Sequence, residues 1–126
     1  MAQCAQKENR LIIPNAKSVE ICTESILGSR FYYHGLTFEL PLAGRHQIYN
    51  FLTAFSAIEA VKLQGFAISD KNITDGIAKV VFPARMEQIS VEPLVILDGA
   101  HNLQGCEALA KAMPLTPKKK VVIMGM

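Results

Sequence analysis

The chain has 126 residues, of which 50% are hydrophobic and 19% charged, with no Trp. That length admits one ordinary domain or pieces of two, and the apolar share excludes a disordered tail or a collagen-like repeat. A net charge of +2 with a pI of about 8.5 is too slight a bias to announce a nucleic-acid partner, and none is expected.

In chain order, the first part reads as strands. Arg10–Ile13 is a short apolar run closed by Pro14-Asn15, and Ser18–Leu27 mixes Val, Ile and Thr before Gly28. Residues 31–40 read as a β-hairpin: Leu36, Phe38 and Leu40 alternate at period two, and His34-Gly35 suits a tight turn. His34 is therefore read as structural. A helix follows, because Ile48, Phe51, Leu52, Phe55 and Ile58 recur at three- and four-residue steps and Gly65 supplies a stop. A second helix opens at Ser69 or Asp70 and runs through Ile73, Ile77 and Val80, with Pro83 forbidding continuation. A composition shift over 83–93 marks a linker between two domains.

Leu94–Leu97 is an unbroken apolar run, the pattern of a strand buried on both faces of a parallel sheet. A helix after Asn102 runs to Met113, and Val121–Met124 is expected as a second buried strand. Strand, helix, strand is one right-handed βαβ unit. The expected class is α/β, with strands and two helices in the first part and this unit in the second.

Cys4, Cys22 and Cys106 are odd in number and far apart, so neither a disulfide framework nor a zinc site is indicated. The run Lys118 to Lys120 reads as a solvated loop or strand edge. No apolar stretch approaches the roughly 20 residues that span a bilayer, and the first residues lack the apolar core of a signal peptide. No membrane partner is expected, and the default location is cytoplasmic.

Three polar spots stand out. Residues 44–50, Gly-Arg-His-Gln-Ile-Tyr-Asn, lie at the mouth of the first helix. Gln47 and Asn50 would cap free N–H groups there; helix N-termini also attract anions, and an amide side chain at such a mouth can read the edge of a purine. Arg85 either pairs with Glu87 or offers its fork to phosphate. Asp98, Gly99, Ala100, His101 and Asn102 follow the carboxyl end of a strand, where ligand groups collect in open α/β sheets. Asp98 suits the two hydroxyls of a ribose, and His101 suits a base or sugar, or else a helix cap. No Gly-x-x-x-x-Gly-Lys-Ser/Thr loop is present, so the sequence has no phosphate cradle of that kind.

Taken in order, Leu42–Asn50, Phe82–Glu87 and Ile96–Asn102 resemble the folylpolyglutamate synthase and dihydrofolate synthase family, within the ATP-dependent Mur-type ligases. The likeness runs from about Phe31 to Met126. It implies that residues 1–84 are the end of a central ATPase domain and 85–126 the start of a Rossmann-like ligase domain. It further implies that Asn50 contacts adenine, Arg85 reaches the phosphates of ATP and acts in catalysis, Asp98 holds the ribose, and His101 sits beside the nucleoside. Mg2+ would be held by ligands outside this chain. The implied reaction phosphorylates a folate or dihydropteroate carboxylate and couples it to L-glutamate, and the chain alone is expected to be inactive. A muramyl-peptide ligase of the same group and a non-catalytic nucleotide-binding module are the alternatives, and the oligomeric state is open. Two departures accompany the likeness: Phe51 stands where the family usually has Ala, so different helix packing beside the adenine is expected. Leu103 replaces the usual Pro, changing the helix entry.

Overall fold

The computed structural model describes residues 11–116 and 119–125. Three antiparallel strands form a meander in the order β1 (Glu20–Ser25), β2 (Gly28–Tyr33) and β3 (Leu36–Leu40). The hairpin closes with Tyr33 opposite Leu36, leaving His34 (φ 49°) and Gly35 (φ 80°) as its two turn residues. Both positive dihedrals match the right-handed twist of the flanking strands. His34 also packs its ring against Tyr33 and Phe55. Gly28 is required at the other turn, since a Cβ there would meet the Leu40 carbonyl oxygen at 2.2 Å.

Helix α1 (Arg45–Leu63) lies on one face of this sheet. Its apolar stripe of Ile48, Phe51, Leu52 and Phe55 is buried with Phe31, Tyr33, Phe38 and Leu40. Phe51 stands at the centre, 4.9 Å from the ring of Phe31 and 4.6 Å from that of Phe38. Phe51 thus fills the core. Helix α2 (Asp70–Ala78) adds Ile73 and Ile77 to the same core. Its N-cap is Ser69, reciprocated by Asn72 in a capping box. The helix ends at Ala78, short of Val80, with Lys79 as its C-cap.

The second part departs from expectation. Strand β4 (Glu87–Val91), within the stretch expected as linker, pairs antiparallel with β5 (Leu94–Leu97) across Glu92-Pro93. A neighbour two residues away closes a hairpin at far less entropic cost than a parallel crossover. β5 is also not buried on both faces: Leu94, Val95 and Leu97 are exposed. Helix α3 (Leu103–Ala112) follows as expected, and Met113–Leu115 continues as a 3-10 turn containing Pro114.

Val121–Met124 forms no strand, and its four side chains are exposed. The expected βαβ unit is therefore complete only to its helix, because two short parallel strands without a covering layer bury too little to order a ladder. Residues 11–15 likewise form no strand, and Arg10 lies outside the described residues. So do Cys4 and part of the Lys118–Lys120 run, of which Lys119 and Lys120 are exposed. Among the described residues no helix is long and apolar enough to cross a membrane.

The two parts meet at a small second core of Ala43, Met86 and Ala112, flanked by Ile96, Leu109 and Leu115. That seam positions the site.

Candidate functional site

The mouth of α1, the loop before β4 and the loop after β5 surround a cavity of about 350 Å³. Asn50, Arg85 and His101 all line it, so three residues singled out from sequence come from three segments to one place. Helix α3 contributes Gln104 and Gly105 from its first turn, so two helix N-termini face the same space. Converging positive dipole ends favour an anion there.

The amides at the mouth of α1 do not cap it. Gly44, the N-cap, has no side chain to offer, and Asn50 Nδ2 instead donates to Gln47 Oε1 at 3.0 Å. Residues three apart share a helix face, and here they satisfy each other. Gln47 is buried, while Asn50 is exposed to the cavity with its carbonyl oxygen free of that bond.

Arg85 and Glu87 take different partners. The Arg85 guanidinium carbon lies 5.4 Å from the centroid of the Phe82 ring. Glu87 Oε2 accepts from the Ala84 N–H at 2.8 Å. Ala84 (φ 55°) and Met86 (φ 51°), on either side of Arg85, both adopt left-handed backbone that costs a residue with a Cβ about 1–3 kcal/mol.

Asp98 stands apart from the cavity wall. Its Oδ2 accepts from the Met86 N–H at 2.9 Å and its Oδ1 from the Ala100 N–H at 2.8 Å. Gly99 N–H completes the tie by donating to the Ala84 carbonyl at 2.7 Å. Both carboxylate oxygens are thus committed to backbone, and they lock the Arg85 loop to the loop after β5. His101 Nδ1 lies 2.9 Å from the Gly99 carbonyl oxygen, and the helix cap is Asn102, which accepts from Gly105 N–H at 2.8 Å.

His46 is the residue that sequence reasoning passed over. It forms part of the wall of this cavity and of a second one, about 410 Å³, that lies between α1 and α3. Burial holds its imidazole below the ordinary value, with Asp98 opposing and Arg85 reinforcing. Its ring packs on Gly44, where an added Cβ would meet Nδ1 at 2.9 Å. Beside it, Arg45 grips Glu24 of β1 through Nε and Nη2, each at 3.0 Å, which raises the Arg45 pKa. Among the described residues no group of three or more His, Cys, Asp or Glu converges to hold a metal. The wall of the cavity that holds Asn50, Arg85 and His101 carries no Asp or Glu, so it offers no carboxylate ligand for Mg2+.

No protein-family model matches the chain. It is 35% identical over 92 residues to a folylpolyglutamate synthase of Lacticaseibacillus casei, covering 68% of this chain and 22% of that protein. It is 40% identical over 73 residues to a dihydrofolate synthase/folylpolyglutamate synthase of Bacillus subtilis, covering 57% of this chain and 17% of that protein. The chain thus spans about a fifth of the length of these curated relatives.

Among solved structures, Mycobacterium tuberculosis folylpolyglutamate synthase, complexed with ADP and AMPPCP, superposes with a TM-score of 0.72 at 26% identity. That match covers 90% of this chain and 26% of the other. A folylpolyglutamate synthase complex with AMPPCP and folate gives 0.71 at 25% identity, over 90% of this chain and 29% of the other. In sequence and in fold, the chain is related to the folylpolyglutamate/dihydrofolate synthases and matches one segment of them.

Proposed function

We propose that the chain forms the base-and-ribose side of an ATP site in an ATP-dependent ligase that joins L-glutamate to a folate or dihydropteroate. The observation that carries this reading is the cavity that gathers Asn50, Arg85 and His101 between two helix N-termini. The relatives complexed with ADP and AMPPCP supply the ligand class that such a cavity suits. Their names favour a folate acceptor over a muramyl peptide.

In this reading Asn50 presents its free carbonyl oxygen to the amino group of adenine. Arg85 neutralises charge on the phosphates. His101 borders the sugar, and any contact of Asp98 with the ribose uses lone pairs left over from its two backbone bonds.

The chemistry proposed is in two steps. A substrate carboxylate oxygen attacks the γ-phosphorus of ATP, and ADP leaves with the bond electrons. The amine of L-glutamate then attacks the acyl carbon, loses a proton and expels inorganic phosphate. Both steps gain most from positioning and charge neutralisation. No step is assigned to a metal, since among the described residues no group of three or more His, Cys, Asp or Glu converges. Turnover in this reading needs a phosphate-binding loop, which this sequence does not contain.

Titration of AMPPCP into the 15N-labelled chain tests the reading. Weak binding is expected, with shifts confined to Asn50, Arg85 and residues 99–102 and none in α2. Shifts confined to α2 and the sheet, or no shift at millimolar AMPPCP, would overturn it.

A further inference from the structure

We propose that Phe82 and Glu87 are positioning residues that together hold the Arg85 guanidinium over the cavity at the mouth of α1. The proposal deepens the nucleotide-site reading and rests on it only for what Arg85 is positioned to do.

An Arg on a loop is ordinarily free to sample many rotamers, and fixing it costs entropy. Here the backbone on both sides is fixed first. Ala84 and Met86 sit in the left-handed region, a conformation that an unconstrained loop without glycine would leave. Glu87 reaches back across Arg85 and accepts the Ala84 N–H at 2.8 Å. That charge-assisted bond closes a turn with Arg85 inside it. The Ala84 carbonyl and the Met86 N–H are then held from the far side by Gly99 and Asp98.

Phe82 limits the side chain itself. Its ring, 56% exposed, lines the cavity, and the guanidinium carbon lies 5.4 Å from its centroid, within the range of cation–π attraction. A large ring left this exposed contributes little to either core. Its placement is accounted for by what lies over it.

His46 provides a reporter that needs no nucleotide. Burial depresses its imidazole pKa most and Arg85 depresses it further, while neither Phe82 nor Glu87 is among the charges that act on it. Asp98 and His101 on one side, and Glu24, Arg45, Glu107 and Lys111 around the other cavity, remain in every variant and cancel in comparison.

The experiment is an NMR titration of the His46 ring in the ligand-free chain. Arg85→Ala should raise its midpoint. Phe82→Ala and Glu87→Ala should raise it in the same direction, because Arg85 swings away, while Phe82→Trp and Glu87→Gln should keep the wild-type midpoint. Phe82→Leu removes the ring and keeps the bulk, so it should raise the midpoint too; a rise in Phe82→Ala alone would report lost burial of His46 and overturn the proposal. An unmoved midpoint in the Phe82 and Glu87 variants, beside a raised one in Arg85→Ala, overturns the proposal. So does an unmoved midpoint in Arg85→Ala itself, since Arg85 would then not face His46. AMPPCP titrations on the same samples separate the two ideas: shifted His46 midpoints without AMPPCP binding uphold the positioning and defeat the nucleotide reading.

Discussion

At the scale of single residues, His46 contributes to how the molecule answers to mild acid. Its folded-state pKa lies below the unfolded value of about 6.5, chiefly through burial. The unfolded chain therefore takes up the proton first. Stability is unaffected above that value, falls as pH drops through it, and levels once the folded midpoint is passed. Urea denaturation at about pH 7.5 and about pH 5 should show a larger loss for wild type than for His46→Gln. Arg85 belongs to the same scale. In a ligase that carries this segment together with a phosphate loop, Arg85→Ala should lower turnover by orders of magnitude while leaving the melting temperature nearly unchanged. Wild-type turnover would remove Arg85 from the reaction.

The polar residues themselves were legible because chemistry-bearing types clustered at a helix mouth and past a strand end. Their partners were not. Nothing in the spacing of Asp98 reveals that both its oxygens go to backbone N–H groups, one of them twelve residues away. His46 was hidden for a related reason, since its interest comes from standing between two cavities that only the packing creates.

Elements were readable where one segment determined its own structure. The 31–40 hairpin and α1 carry strong periods and local turn residues, and both formed as expected. Phe51→Ala should then cost about 3–5 kcal/mol, measured by denaturant unfolding, because it empties the centre of the aromatic cluster. Asn102→Ala should cost about 1 kcal/mol through the lost cap of α3. Elements were misread where the outcome hung on a neighbour. Leu94–Leu97 has the composition of a doubly covered strand, yet the partner it finds is the short strand just before it. Val121–Met124 has the same composition and pairs with nothing among the described residues.

For the whole molecule, the two clusters of buried side chains differ greatly in size. The first holds five aromatic rings; the second holds two alanines and a methionine. We propose that residues before about 84 form one domain around the first cluster, and that the second cluster is the seam on which a second domain rests. Amide hydrogen exchange should then show β2, β3 and α1 protected well beyond β4, β5 and α3. Equal protection throughout would argue for a single cooperative unit.

The smallness of the seam has its own consequence. Ala43 and Ala112 are buried against each other's surroundings, and a methyl placed on Gly44 would come within 3.4 Å of the Ala112 Cβ. Methyl-sized spacers thus keep α1 at its distance from α3, and with it Asn50 from His101. The aperture of the cavity is set by residues that are not part of its own wall. Sequence drift at positions 43, 44 and 112 is therefore bounded by a tolerance of ångströms, as a machinist's shim is, whatever the chemistry of the substituents.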